Sequence, residues 1–81
     1  MTIGAIRYAF NRAYKEWDEC ETRWLNIRLK QSGEMVGFRL GVYSYKIDED
    51  ANAIIIVKEN GFDVINVDDI QLIRYTNFSG I

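Results

Sequence analysis

Glu34–Ile47, which reads EMVGFRLGVYSYKI, is long, apolar and rich in β-branched and aromatic residues. Its side chains alternate with the period of two that is typical of a strand. The apolar row contains Val36, Phe38, Leu40 and Val42, and the aromatic and basic row contains Met35, Arg39, Tyr43 and Tyr45. We therefore expect one continuous strand over residues 34–47, with one row facing a core.

Two glycines interrupt this stretch. Gly37 and Gly41 are four residues apart, and glycine inside a strand often marks a bulge or a sharp bend. We expect the long strand to bend at these positions and to curl around a small barrel.

An amphipathic helix is predicted before this strand, over about residues 3–19. Thr2 can cap its first turn, and apolar residues recur at steps of three and four, as on one face of a helix. These residues are Ile3, Ile6, Phe10, Ala13, Trp17 and Cys20. We expect this stripe to dock on the barrel, and a helix that binds a partner or dimerises is the alternative.

Four more strands are predicted from apolar runs that turn residues bound. They cover about residues 22–30, 53–59, 62–66 and 70–75, and residues 76–81 form a tail. With the helix and the long strand, they predict a single α+β domain over residues 1–81, built as a helix followed by a five-stranded antiparallel barrel.

The dipeptide Asn60-Gly61 favours a two-residue type I′ hairpin, because both residues tolerate positive φ. Counting outward from this turn gives the cross-strand pairs Lys58 with Asp63, Val57 with Val64, and Ile56 with Ile65. Both faces of the hairpin are then apolar near its base. One face can line the barrel, and the other has to be covered by the helix or by a second subunit.

Composition narrows the class of function. The net charge of −2 and the pI near 5.0 disfavour nucleic-acid binding driven by electrostatics. The chain has no histidine, so it lacks the commonest general base and the commonest transition-metal ligand. We expect a protein partner, no enzymatic activity, no cofactor and no metal site.

Composition also bears on location. No apolar run approaches the roughly 18 to 20 residues that cross a bilayer, and the N-terminus has no pattern of a secretory signal. The single cysteine, Cys20, cannot form an intramolecular disulfide, which fits a reducing compartment. We expect a soluble cytoplasmic protein that does not contact a membrane.

The segment Val64-Ile65-Asn66-Val67-Asp68-Asp69-Ile70 resembles the closing motif of Sm-like small barrels, which is an apolar residue, Ile, Arg, Gly, two polar residues and Ile. It is about equally similar to the end of the barrel in YolD-like bacterial proteins. The likeness covers about residues 24–75 and implies a five-stranded SH3-like or Sm-like barrel. As an alternative function it implies RNA binding, at Asn52 and Asn66, although Asn66 stands where the motif has Arg.

One constellation resembles an interaction surface. Aromatic rings interleaved with arginines are typical of protein hot spots and of sites for single-stranded nucleic acid. The candidate residues are Trp24, Arg28, Arg39, Tyr43 and Tyr45. The alternative interpretation is that these rings cover the sheet against the helix while the arginines extend to water.

An acidic loop follows the long strand. Asp48, Asp50, Asn52 and Glu59 have the spacing of ligands in a calcium-binding loop. The glycine that such a loop requires is replaced by Ala53, so we interpret the segment as a hairpin loop without a metal.

These observations favour a small non-enzymatic interaction module with a regulatory or inhibitory role, and a bacterial or phage protein would fit. One helix can shield only one side of a small barrel. We therefore expect the remaining apolar surface to meet a protein partner or a second copy, as a homodimer or a larger oligomer.

Overall fold

The computed structural model describes residues 1–17 and 23–77. Its elements are α1 (Ile3–Glu16), β1 (Trp24–Leu29), β2 (Met35–Arg39), β3 (Ser44–Asp48), β4 (Ala53–Lys58), β5 (Gly61–Asn66), a 3-10 turn (Val67–Asp69) and β6 (Ile70–Thr76). The strands form two three-stranded antiparallel sheets. The strand order is β2-β1-β6 in the first sheet and β3-β4-β5 in the second sheet.

The predicted five-stranded barrel is therefore wrong. The described residues contain six strands, and they form two separate sheets, neither of which closes into a barrel. The chain passes between the sheets twice, once after β2 and once through the 3-10 turn after β5. An SH3-like or Sm-like barrel is thus not the architecture of this chain.

The prediction of one continuous strand over residues 34–47 is also wrong, because the strand breaks at Gly41. β2 ends at Arg39, and β3 begins only at Ser44. Gly41 has a φ of +82°, and a Cβ at this position would lie 2.6 Å from the indole of Trp17. Glycine is favoured in this left-handed region because it has no Cβ. Gly37, in contrast, lies inside β2 and pairs with Asn26.

The turn at Gly41 changes which alternate positions face the core. In β2 the core-facing residue Phe38 has an even number, whereas in β3 the core-facing residues Tyr45 and Ile47 have odd numbers. One uninterrupted strand would have kept the same parity throughout. Val42, which the alternation assigned to the apolar row, is consequently 45% exposed.

Helix α1 joins the two sheets through its apolar stripe. Its first turn is capped by Thr2, whose Oγ1 accepts a hydrogen bond from the N–H of Ala5 at 3.1 Å. Phe10 is fully buried, and its ring lies 5.0 Å from that of Phe38 in the first sheet and 4.1 Å from that of Tyr45 in the second. The stripe therefore docks on the sheets, as the first of the two interpretations predicted.

The end of α1 differs from the prediction. The backbone of Trp17 is already extended, so the helix ends at Glu16, before the predicted end near residue 19. Trp17 packs partly buried against the core. Cys20, the last member of the predicted stripe, lies outside the described residues.

The hairpin of β4 and β5 forms, but its register differs from the prediction by two residues. Lys58 pairs with Gly61 and Val57 with Phe62, so the turn residues are Glu59 and Asn60. Of the described residues other than glycine, Asn52 alone has a positive φ; the type I′ assignment is therefore wrong. Because the shift is two residues, every side chain stays on its predicted face.

The core lies between the sheets and the helix. Its fully or almost fully buried members are Ile6, Phe10, Ala13, Leu25, Ile27, Phe38, Leu40, Ile54, Ile56, Ile65, Val67 and Ile70. They come from the helix and from both sheets, so each sheet turns one apolar face inward. Of the helical residues that the structure describes, none belongs to a segment long and apolar enough to cross a membrane.

Candidate interaction surface

The structure brings together three of the five residues of the predicted surface. Trp24 and Arg39 are direct cross-strand partners in the first sheet, on the face opposite the core. The ring of Tyr43 meets that of Trp24 edge to face, with centroids 6.0 Å apart. All three side chains are half-buried.

The other two residues of the predicted surface lie elsewhere. Arg28 is exposed on the same face of the first sheet, but it pairs with Met35 at the far end of β1. Tyr45 faces the core, where its ring stacks on that of Tyr14 at 6.4 Å. Burial raises the pKa of the Tyr14 hydroxyl above its usual value, and the nearby Tyr45 raises it further. The interpretation that rings cover the sheet against the helix therefore describes Tyr45.

Of the two residues of the RNA alternative, Asn52 lies in the turn before β4 and Asn66 is the last residue of β5. Asn52 has a positive φ of 51° in the turn before β4, and its carbonyl accepts a hydrogen bond from the N–H of Val67 at 2.8 Å. Asn66 caps the 3-10 turn, because its Oδ1 accepts a hydrogen bond from the N–H of Asp68 at 2.8 Å. Both residues thus have a structural role in these turns.

The acidic loop also has a structural explanation. Asp48 Oδ1 accepts a hydrogen bond from the N–H of Ala51 at 3.1 Å, as is usual for aspartate in a turn. Over residues 1–17 and 23–77, no three acidic or cysteine side chains are grouped as metal ligands.

Exposed apolar side chains of the described strands are grouped on the outer face of the second sheet. Phe62 is 67% exposed, Val64 is 61% exposed and Val57 is 46% exposed. Val57 and Phe62 are direct cross-strand partners, and Val64 is the next residue on the same face of β5. With Val42, which shares a cavity with Phe62, these side chains form what we call the valine–phenylalanine patch.

The sequence indicated part of this patch. It predicted that both faces of the hairpin are apolar and that one needs cover, and Val57 and Val64 were assigned to one face. Phe62 was missed because the register from Asn60-Gly61 placed it beside Glu59. Val42 was missed because the alternation in residues 34–47 placed it in the apolar row of a single strand.

A cavity of about 490 Å³ adjoins the patch. The turn after β2 supplies Arg39, Val42 and Tyr43, and the tip of the hairpin supplies Lys58, Phe62 and Asp63. The cavity therefore combines apolar side chains of the patch with charged groups. It connects the patch with Arg39 and Tyr43 of the predicted surface.

The two cations of this cavity differ in their partners. Lys58 Nζ lies 2.5 Å from Asp63 Oδ2 and 5.8 Å from the centre of the Tyr43 ring. Arg39 has no ion pair with any carboxylate of the described residues, and its Nε is buried without a hydrogen-bond partner there. A buried donor without an acceptor costs about 1 to 3 kcal/mol, so the Nε of Arg39 is a local cost to stability.

The patch lies beside an open strand edge. β5 is the last strand of the second sheet, and within the described residues it pairs only with β4. In an antiparallel ladder the backbone groups of alternate residues point away from the partner strand. The edge of β5 therefore offers unpaired N–H and C=O groups next to Phe62 and Val64.

No protein-family model, no curated protein and no solved structure matches this chain.

Proposed function

We propose that this chain is a non-enzymatic protein-interaction module of the cytoplasm, with a regulatory or inhibitory role. Its contact surface is the valine–phenylalanine patch on the outer face of the second sheet. The observation that carries this proposal is the high exposure of Phe62 and Val64, side by side on a sheet face. Contiguous exposed apolar side chains of this kind mark sites of protein association.

The composition of the surface supports a protein as the partner. Phenylalanine, tyrosine and arginine are enriched at protein interfaces, and here Phe62, Tyr43 and Arg39 line one cavity. A net charge of −2 does not favour an electrostatic, sequence-independent attraction to phosphates. A second copy of the chain can occupy the same patch, which would make the module a homodimer.

The proposal is tested by capturing partners from lysate, with and without nuclease treatment, with three baits. The first bait is the wild type, and the second carries Phe62→Ser and Val64→Ser in the patch. The third carries Arg28→Ser and Arg74→Ser, which are exposed on the outer face of the first sheet. We expect the wild type and the third bait to retain the same proteins, and the second bait to lose them.

Two results would contradict the proposal. If the patch variant retains the same proteins as the wild type, the patch is not the contact surface. If material bound to the wild type disappears on nuclease treatment alone, the RNA alternative replaces the protein partner. Sedimentation equilibrium on the purified wild type and patch variant shows whether the partner is a second copy, because self-association through the patch would be lost in the variant.

A further inference from the structure

We infer that two copies of this chain pair through the open edges of their β5 strands, so that their second sheets join into one continuous sheet across a two-fold axis. The inference rests on the proposed function, because it names a second copy as the partner and edge pairing as the mode of contact. It uses the backbone of β5 in addition to the side chains of the valine–phenylalanine patch.

The hydrogen bonds of β5 show which of its backbone groups face the open edge. The N–H of Val67 donates to the carbonyl of Asn52 at 2.8 Å, and these two residues extend the register in which Ala53 faces Asn66. Hydrogen-bonded and non-hydrogen-bonded pairs alternate along an antiparallel ladder. Every second residue of β5 before Val67 therefore turns its N–H and C=O toward β4, and the residues between them turn theirs toward the open edge. These edge residues are Phe62, Val64 and Asn66, which we call the edge strip.

The edge strip differs from the other three strand edges that the structure describes. β2, β3 and β6 are edge strands as well, and their outer faces carry Arg39, Lys46 and Arg74, respectively. Charged side chains on an edge strand oppose its pairing with another sheet. All three residues of the edge strip are uncharged and exposed, and the chain has no proline to block the edge. Among the described edges, β5 is thus the least protected against pairing.

The charged residue within β5 selects the register of the pairing. Asp63 lies on the core-facing side of the strand, opposite Ile56, where it forms an ion pair with Lys58. Two registers with two-fold symmetry join the edge strips by hydrogen bonds, with either Val64 or Phe62 opposite Val64 of the second copy. The register with Phe62 would place Asp63 directly opposite Asp63 of the second copy, and like charges in this position are destabilising. The register with Val64 on the two-fold axis avoids this contact and engages the whole edge strip.

A second copy is complementary to this edge in both hydrogen bonds and side chains. Each edge strip donates its three N–H groups and accepts three from the other, so no group of either strip is left over. On the outer face, Ile55 and Val64 of both copies form one apolar row across the axis, and Phe62 lies diagonal to Val64 of the second copy. A stable interface uses roughly 20 to 30 residues on each side, and the patch has far fewer. A pairing that adds main-chain hydrogen bonds therefore fits this surface better than contact through side chains alone.

The charges predict a weak dimer that salt strengthens. Each copy has a net charge of −2, and the register brings Glu59, before one edge strip, to the same end as Asp68, after the other. Salt screens these repulsions, so the dimer should tighten between about 0.05 M and 0.5 M salt. Binding of nucleic acid through phosphate contacts would weaken over the same range.

Amide hydrogen exchange of the wild type at low and high protein concentration tests the edge pairing directly. We expect the N–H groups of the edge strip to exchange at least about 10-fold more slowly at high concentration, because pairing removes them from water. By the same alternation, the N–H groups of Tyr45 and Ile47 face the opposite edge of this sheet. They are the internal control, and their exchange should not depend on concentration.

Two variants at the axis separate the backbone of β5 from its side chains. Val64→Pro removes an N–H of the edge strip without removing a hydrogen bond to β4, and the matched control Val64→Thr keeps both the N–H and a β-branched side chain. Sedimentation equilibrium measures the dimer dissociation constant of each. We expect proline to raise it at least about 10-fold, because each copy loses a hydrogen bond, and threonine to raise it less than about threefold.

Several outcomes would overturn the inference, and they differ in what they leave standing. If the wild type associates without protection of the edge strip, and Phe62→Ser abolishes the association, the copies meet through the patch and only the edge pairing is wrong. If Phe62→Ser and Val64→Pro both associate like the wild type, the proposed contact surface fails as well. If the wild type is monomeric over about a hundredfold range of concentration, the second copy is not the partner. The exchange experiment uses the wild type alone, so it decides the inference even if a variant fails to fold.

Discussion

The two sheets share a core but differ in the side chains that their outer faces expose to water. On the first sheet, the outward residues include Arg28 and Arg74, which are exposed, and Arg39. On the second sheet, the corresponding outward positions hold Val57, Phe62 and Val64. A sheet with one core face and one polar face needs nothing further to be stable in water.

The second sheet departs from that pattern because three of its outward side chains are both apolar and exposed. The alternation that specifies a half-buried strand is lost in β4 and β5, where Ile54 and Ile56 face the core while Val57 faces water. In an isolated domain these exposed residues contribute to folding only through strand propensity and cross-strand pairing, and not through burial. The proposed contact surface rests on this difference between the sheets.

The strongest test of this comparison replaces one phenylalanine in each sheet by alanine and compares the two losses of stability. Phe38 of the first sheet is 0% exposed, and Phe62 of the second is 67% exposed. We expect Phe38→Ala to lower the free energy of unfolding by about 3 to 5 kcal/mol, because it leaves a cavity. We expect Phe62→Ala to lower it by less than about 1 kcal/mol, because only an exposed cross-strand pair is lost. Urea denaturation of both variants measures the two values.

Phe62→Ala is the matched control, since the chemical change is the same and only the position differs. A loss of more than about 2 kcal/mol for Phe62→Ala would be typical of a buried residue. The outer face of the second sheet would then be covered in the free protein, and the two sheets would not differ as described.

A second prediction concerns the turn where the chain leaves the first sheet for the second. In Gly41→Ala the new Cβ would lie 2.6 Å from the Trp17 indole and at a φ of +82°. We expect a loss of about 2 to 4 kcal/mol, from backbone strain and from displacement of the indole. Thermal and urea unfolding measure the loss.

Gly33→Ala separates these two causes. Gly33 also has a positive φ, of +72°, but nothing lies within 4 Å of its added Cβ. We expect this variant to lose only about 1 to 2 kcal/mol, the cost of the left-handed backbone. Equal losses in the two variants would show that the contact between Trp17 and the turn contributes nothing to stability.

Much of the fold could be predicted from alternation and periodicity. The helix stripe of Ile6, Phe10 and Ala13 is buried as expected, and the hairpin keeps its predicted faces. Periodicity failed at Gly41, because Val42 and Tyr43 beside it both favour strands and Leu40 continues the apolar row. A local pattern could not show that the indole of Trp17, distant in sequence, occupies the space beside this glycine.

The candidate surface was harder to predict for a related reason. Once the turn at Gly41 changes the parity, Tyr45 moves to the core, and Arg39 and Tyr43 remain near the surface. A shift of two residues in the hairpin register brought Phe62 opposite Val57. Turn residues set the register of a hairpin, and Asn60-Gly61 favoured a turn that the chain does not form. The sequence thus predicted that both faces of the hairpin carry apolar residues. It did not predict that Phe62 is the central residue of the exposed face.

The smallest predicted effect concerns the ion pair between Lys58 and Asp63. It is the one ion pair that the structure describes within the hairpin of the second sheet. The sequence placed Lys58 directly opposite Asp63, whereas the structure pairs Lys58 with Gly61 and Ile56 with Asp63. The two charges still meet diagonally, at 2.5 Å, with 33% and 40% of their side chains exposed. Diagonal neighbours on one face remain within reach of long side chains, which explains why the pair survives the change of register.

A double-mutant cycle of Lys58→Gln and Asp63→Asn should give a coupling of about 0.2 to 1 kcal/mol, because a pair this exposed is screened by water. The coupling should shrink in 1 M salt, where the screening length falls to about 3 Å.

The register itself is measured by nuclear Overhauser contacts between the backbones of facing residues. A contact from Val57 to Phe62 is expected, and a contact from Val57 to Val64 in its place would restore the register centred on Asn60-Gly61. Phe62 would then lose its place beside Val57, and with it the apolar row that distinguishes the second sheet from the first.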